Sequence, residues 1–397
     1  MSGEMHEQKK FRFRGLSKRI GAIAFVIASV GALASPASAS PDFSDGKFNF
    51  VMTGTGSDTT FFAMQAMDTL FNQAPGCNLT VPPATPQWTC VADTPTTVTT
   101  ENYDHEVATE MYPQGSGAGL RQLCQENDGL AGTLYYSYAR SSSAPASAPS
   151  ECKNDPNDHL RYVGWAKDAI AIPRWKGGAS DGVTNLTVAQ VKEIFLGTGP
   201  RGCNTNWSDY GGADVAIIVN GIQTSSGTYS AFSSFIGGDP NTCVSATGGQ
   251  VLFENNCVPI NNLPSANDRQ RSIWALSFGK YTTGEADCSA TDTALISVGG
   301  VAPAPTTIQN GTYQFNRTLF NVYRTGGPAW IQGYVGEAGF ICKPNALHSK
   351  PTSDPNPGIP NNNVDRNWGA AVDKVITSNG FVKVNPIGNK CVTFDIH

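Results

Sequence analysis

At three places in this chain a short Gly/Ser/Thr cluster joins an apolar run to a helix-like pattern: Thr53-Gly54-Thr55-Gly56-Ser57-Asp58-Thr59-Thr60, Gly115-Ser116-Gly117-Ala118-Gly119 and Ser225-Ser226-Gly227-Thr228. Ahead of the first, Phe48-Asn49-Phe50-Val51-Met52 alternates as a strand, and behind it Phe61, Met64, Met67, Leu70 and Phe71 recur at close to helical spacing. Residues 106–112 read as a strand feeding the second cluster, with a helix over 120–125. The continuous apolar run 215–220 has the character of a strand buried between helices, and it leads to the third cluster and a helix over 229–236. Recurrence of strand, turn and helix restricts the chain to an α/β protein with mainly parallel sheets, whose ligands sit off the carboxyl ends of strands.

The same clusters point to an anion. The first turn of a helix has backbone N–H groups without intrahelical partners and a partial positive charge, and small hydroxyl residues let an anion approach them. Taken singly, each cluster reads more readily as an ordinary helix entry, and it is their conjunction that points to an anion. None is a nucleotide-binding P-loop, because no Gly-Lys-Ser or Gly-Lys-Thr follows, and no Gly-x-Ser-x-Gly elbow is present. Between the second and third clusters, residues 186–197 spell a complete short helix: Thr187 caps it, Gln190 completes a capping box, Gly197 ends it, and Val191, Ile194 and Phe195 share one face.

Charge narrows the partners. Lys9, Lys10, Arg12, Arg14, Lys18 and Arg19 precede an apolar stretch, and Ala37-Ser38-Ala39 offers small residues for cleavage, so residues 1–39 read as an export signal. That segment carries six of the 27 Lys/Arg and two of the 32 Asp/Glu, leaving the remainder near −9. An acidic product argues against nucleic acid and anionic membranes, which rely on basic surfaces. No later run of about 18 apolar residues exists to span a membrane. The first cysteine is Cys77, so no lipid-modified cysteine is expected at the cleavage site, and a secreted or periplasmic location follows.

Ten cysteines in an exported chain, with no C-x-x-C pair, are expected to form disulfides. A zinc site is the weaker reading, for want of ligand spacing and histidines. Pairing by sequence neighbours gives Cys77–Cys90, Cys124–Cys152, Cys243–Cys257 and Cys342–Cys391, leaving Cys203–Cys288. About 358 residues after the signal exceed what one core usually supports, so two domains are expected.

Residues 186–197, then Asn206-Trp207-Ser208-Asp209 and Gly212, then Ser226-Gly227-Thr228 and Phe232, resemble the exported phosphate-binding proteins of phosphate ABC transporters. The cluster at 53–57, the residues Tyr112, Gly115, Ser116, Gly119 and Gln122, and the late segment Asn316-Arg317-Thr318-Leu319-Phe320-Asn321-Val322-Tyr323 extend the resemblance over most of 47–385. The cysteine-bearing insertions at 76–100 and 239–260 look peculiar to this branch. The resemblance implies a two-lobed, type II periplasmic-binding-protein fold, each lobe a mixed, mainly parallel sheet flanked by helices. Lobe 1 would combine 42–168 with 312–397, and lobe 2 would be 169–311. Two strands, near 163–172 and 313–323, would form the hinge.

Carried over by position, the ligand-binding set is Asp58, Thr59, Ser116, Gly117, Ser226, Gly227 and Thr228. Phosphate or a similar oxyanion would be the ligand, an ABC-transporter permease the partner, and no cofactor or metal is called for. The family arginine before the Ser-Gly-Thr loop falls on Ile222, and the family aspartate falls near Ser143. A carboxylate there accepts a proton from hydrogen phosphate and repels fully ionised sulfate. Compensation is expected from Asp58 as the displaced carboxylate and Arg140 as the positive charge. Asp58 reads equally as a helix cap and Arg140 as a solvated surface residue.

Two other classes stay open. A secreted phosphatase or hydrolase would use Ser57 or Ser116 as nucleophile with His105 or His159 as base, although both histidines sit in polar, loop-like surroundings. A binding fold recruited as an extracellular scaffold or adhesin also fits the disulfides. Calcium at residues 155–158 is a weaker reading than a turn.

Overall fold

A computed structural model of the chain describes residues 52–72, 78–80, 87–89, 107–125, 136–145, 152, 158–263, 265–284, 292–327, 329–342, 368–384 and 391–396. All of them belong to one unit, Pro41–His397. The strand–turn–helix units are present with shifted joints. Strand β1 (Met52–Gly56) runs into the first cluster and α1 (Phe61–Asn72) follows it; residues 48–51 lie outside the described residues. Strand β2 (Val107–Gln114) leads through Gly115 to α2 (Ser116–Gln125), so the second cluster is itself the first turn of its helix. Strand β3 (Tyr138–Ser141) and the long β4 (Leu160–Ala171) come next.

Helix α3 (Val188–Leu196) matches the sequence reading closely: Thr187 and Gln190 form the capping box, Gly197 adopts the left-handed conformation, and Val191, Ile194 and Phe195 are buried. The run 215–220 is not one strand. Two short strands, Ile218–Val219 and Gly221–Ile222, flank Asn220, whose side-chain oxygen accepts from the Gln250 amide and whose Nδ2 donates to the Ile273 carbonyl. Helix α4 (Gly227–Ile236) follows with Ser226 as its N-cap, accepting from the amides of Thr228 and Tyr229. Two further elements reach the site: the short helix α5 (Phe278–Thr283) and strand β5 (Asn316–Arg324).

Parallel pairing sets β1 between β2 and β3. β5 then joins β3 to β4, antiparallel to both. The sheet is therefore mixed, parallel where the first two clusters leave it and antiparallel along the two longest strands. Elsewhere the ladders are short: Ile218–Val219 with Ser272–Ile273, Gly221–Ile222 with Val251–Leu252, and Asn185–Leu186 with Ser297–Val298 all pair in parallel.

Two main apolar clusters form. The first includes Met64, Phe71, Trp165, Leu319, Phe340 and Ile376; the second includes Ile170, Ile172, Phe195, Trp207, Phe232 and Phe315. Both β4 and the chain through β5 pass from one cluster to the other, within a few residues around Ala166 to Ala169 and Phe315 to Leu319.

Disulfides Cys124–Cys152 and Cys342–Cys391 match the neighbour pairing. Cys203–Cys243 overturns both Cys243–Cys257 and Cys203–Cys288. The reason is tertiary: α3 packs on α4, Phe195 against Phe232 at 4.9 Å between ring centroids, and the loops leaving these helices meet over Gly197. Contact between helices far apart in sequence thus outweighs the shorter loop. Cys257 is disulfide-bonded too; Cys77, Cys90 and Cys288 lie outside the described residues.

Candidate functional site

The three clusters meet. Gly115, at φ 99°, lets the start of α2 pass so close to the third cluster that a Cβ there would come within 2.4 Å of the Ser225 carbonyl oxygen. The Gly117 amide donates to that same carbonyl at 3.3 Å. Gly227 performs the reciprocal service: a Cβ on it would lie 2.2 Å from Ser116 Oγ and 2.3 Å from Ser142 Oγ. From the first cluster, Thr59 Oγ1 stands 3.5 Å from Thr228 Oγ1. Ser57, Thr59, Ser116, Ser142, Ser226 and Thr228 are all buried.

The hydroxyls point one way. Thr59 and Thr228 donate to Glu254 Oε1 at 3.0 and 3.2 Å, and Ser142, which accepts from Ser57 at 2.9 Å, donates to the same oxygen at 3.5 Å. The Asp58 amide donates to Glu254 Oε2 at 3.2 Å. Ser116 Oγ accepts from the Ser142 amide at 2.9 Å and fixes it in place. Four donors from three segments therefore aim at one carboxylate, only 1% exposed.

Positive charge comes from β5. The Arg317 guanidinium donates to Asp168 Oδ2 at 2.8 and 3.1 Å, and these two residues stand directly opposite each other in the β4–β5 ladder. Nη1 donates to Thr228 Oγ1 at 3.0 Å and to the Ser142 carbonyl at 3.3 Å, and Nη2, already on Asp168, also donates to Thr59 Oγ1 at 3.3 Å. Because the guanidinium takes one lone pair of each threonine, their single hydrogens are left to point at Glu254. Asn255 Nδ2 adds a second donor to Thr59 Oγ1 at 3.1 Å. Asp168 Oδ1 accepts from the Gly279 amide in the first turn of α5.

Of the residues expected from sequence, Asp58, Thr59, Ser116, Gly117, Ser226, Gly227 and Thr228 come together here. Arg140 is adjacent but faces away. Fully buried, it donates to the carbonyls of Gly54, Gly56 and Ser57, and so braces the turn that presents Asp58 and Thr59. Burial also draws its pKa down. The solvated alternative for Arg140 is thereby excluded. Ser143 turns back to Ser141 Oγ at 2.9 Å, and it is the preceding Ser142 that enters the cluster. His159 contacts Thr325 and Asp395 at the far end of β4 from Asp168; His105 lies outside the described residues. Asp158 pairs with Arg324 and the Gly326 amide, and no group of three or more His, Cys, Asp or Glu able to hold a metal occurs among the described residues.

Arg317, Asp168, Ser142 and Glu254 were not singled out from the sequence. A signal existed for the first two: Arg317 lies in the late segment that carries the resemblance, and Asp168, with Lys167, interrupts the otherwise apolar stretch 163–171.

Electrostatics reinforce the geometry. The Asp58 carboxyl is pushed up from 3.8 to about 8, first by burial, then by the charge of Glu254 and a hydrogen bond to it, against Arg140 and Lys280. At neutral pH it therefore keeps its proton and donates. A carboxyl whose pKa is higher in the folded than in the unfolded chain stabilises the fold below its unfolded pKa, and that contribution is lost as pH rises toward the folded value. The melting temperature should accordingly fall between about pH 4 and pH 8, and Asp58→Asn should flatten that fall. Parallel melting profiles of the two proteins would show that Asp58 does not titrate in this window.

Comparison with known families bears on the fold. Residues 84–338 match the family model described as a PBP superfamily domain. The chain belongs to the PBP superfamily. Two solved structures share the fold. An ABC-type phosphate transport receptor from Vibrio cholerae aligns with a TM-score of 0.50 at 19% identity, covering 83% of this chain and 99% of that one. A putative phosphate ABC transporter substrate-binding protein with bound phosphate from Clostridium perfringens gives 0.50 at 19%, covering 85% and 100%. No curated protein matches. At such identity the likeness is one of fold.

Proposed function

We propose that this is an exported solute-binding protein that captures phosphate or a related tetrahedral oxyanion and passes it to an ABC-transporter permease, without chemical turnover. The observation that carries the reading is the convergence of the Asp58 amide and the hydroxyls of Thr59, Ser142 and Thr228 on one pair of carboxylate oxygens, with Arg317 behind them. A buried set of preoriented donors with a fixed positive charge suits an anion. Family membership, and the phosphate named for the two structural neighbours, support the same ligand class.

In this reading 42–168 with 312–397 form one lobe and 169–311 the other, with β4 and β5 as the hinge. Segregation of the two apolar clusters supports that division, Tyr313, Phe315 and Val382 excepted. The binding set is Asp58, Thr59, Ser116, Gly117, Ser226, Gly227 and Thr228 from the sequence, joined by Ser142 and Arg317, with Arg140 and Ser143 in the supporting turns. An export signal over 1–39 and a secreted or periplasmic location complete the reading. No helix among the described residues is long and apolar enough to cross a membrane.

A thermal-shift screen of inorganic oxyanions tests it. A true ligand at a hundred times its dissociation constant should add about 2.7 kcal/mol of stability. Thr228→Val, which removes one donor and leaves an anion oxygen unpaired, should weaken binding by about 1–3 kcal/mol. No shift with any oxyanion, or unchanged affinity in the variant, would move the site elsewhere. Asp58 also bears on selectivity. Protonated at neutral pH, it tolerates a fully ionised anion; ionised above about pH 8, it accepts a proton only from hydrogen phosphate. Preference for phosphate over sulfate should therefore rise with pH, and Asp58→Asn should abolish that rise.

A further inference from the structure

Glu254 is the unexpected member of the site. It comes from the cysteine-bearing insertion 239–260, and among the described residues it is the one non-glycine with a positive φ, 33°. Left-handed backbone is strained for a side chain with a Cβ, so it persists where surrounding contacts over-determine it. Here those contacts are the hydrogen bonds to its carboxylate. The neighbouring Phe253 is 44% exposed, so the chain dips from the surface to a fully buried carboxylate within one residue.

The hydrogens are also fully committed. A hydroxyl has one hydrogen to give, and those of Thr59, Thr228 and Ser142 go to Glu254 Oε1 while the Asp58 amide goes to Oε2. An oxyanion cannot use these donors while the carboxylate holds them. Two carboxylate oxygens, planar and of one negative charge, take the positions that two oxygens of a tetrahedral anion would need.

Resting on the function proposed above, we propose that Glu254 is a tethered occupant of the oxyanion site, and that an anion enters only by displacing it from the donors of Asp58, Thr59, Ser142 and Thr228. Capture is then an exchange of one anion for another inside a preformed cradle. The binding-competent form is the fraction in which Glu254 has withdrawn, and apparent affinity is lowered by that fraction. Release of the left-handed backbone at Glu254 assists withdrawal, and return of the carboxylate assists discharge of the ligand. The insertion thus sets the affinity of the site without adding a contact to the ligand.

Calorimetric titration of inorganic phosphate into the wild-type protein, Glu254→Ala and Glu254→Asp tests the proposal, with circular dichroism to verify folding. Both variants should bind at least tenfold more tightly than wild type. The aspartate matters because it keeps the charge but is one methylene too short to reach the donors. Tightening in Glu254→Ala alone would mean that Glu254 acts only by charge repulsion, and would overturn the occupant. Weaker binding in both would make Glu254 part of the ligand shell, and would overturn it equally. In either case the wild type still binds, so the site reading survives. If folded wild type and both variants bind neither phosphate nor sulfate, the oxyanion reading falls and this inference falls with it.

Discussion

Arg317→Met should destabilise the protein by about 3–5 kcal/mol, because it leaves the carboxylate of Asp168 buried and without its charge partner. Asp168 is wholly buried and Arg317 is 6% exposed, so water cannot substitute for the guanidinium. Denaturant titration reads this directly. The same variant should lose oxyanion binding, since the hydroxyls of Thr59 and Thr228 lose the donor that orients them. Stability and binding can be separated: replacing both partners, Arg317→Met with Asp168→Leu, should recover much of the stability, because an apolar pair needs no desolvation of charge. Binding should remain absent. If the double variant binds as well as wild type, Arg317 serves the fold and not the site.

Gly227→Ala should act in the opposite manner, on binding more than on folding. At the first position of α4, alanine is the better helix former, yet its Cβ would lie 2.2 Å from Ser116 Oγ and 2.3 Å from Ser142 Oγ. The third cluster would have to back away from the first two. Relieving an overlap of this kind costs about 1–3 kcal/mol, and where that cost is borne in holding the clusters together around the anion, affinity falls roughly five- to 150-fold. Phosphate titration with circular dichroism as a control checks it. A variant with wild-type affinity would show that the clusters need not approach for the anion to be held.

Much of the scaffold was legible in the sequence because its signals are local. The capping box of Thr187 and Gln190 and the terminating Gly197 depend on residues three to ten apart, and they are found where expected. The glycine clusters mark close approach of backbone for the same local reason. What escaped depends on contacts across the chain. Arg317 reaches the site through its register with Asp168, 149 residues away, and no local pattern encodes a register. Ser142 and Ser143 differ by one position, yet successive residues leaving an extended strand point to opposite sides, so positional carry-over to Ser143 missed the neighbour that enters the cluster. Glu254 lies in the insertion 239–260, within the mostly polar stretch Phe253-Glu254-Asn255-Asn256. Burial of its carboxylate follows from donors supplied by residues 58, 59, 142 and 228. The Cys203–Cys243 bond was hidden likewise, since it records the packing of α3 on α4.

These two kinds of information also divide the function. Composition and the strand–turn–helix pattern lead to an acidic α/β protein that holds an anion by helix ends and hydroxyls. The electrostatic centre of the site, Arg317 with Asp168 behind Thr59 and Thr228, is a product of the fold. It supplies the positive charge that the sequence assigned to Arg140, whose own hydrogen bonds are spent on the carbonyls of Gly54, Gly56 and Ser57.

A crystal structure of the protein at saturating phosphate tests the central claim most directly. Density for one tetrahedral anion is expected within about 3 Å of the Asp58 amide and the hydroxyls of Thr59, Ser142 and Thr228, with Arg317 still paired to Asp168 and the Glu254 carboxylate withdrawn. Phosphate bound at any other place, with those four donors still engaged by Glu254, would contradict the account.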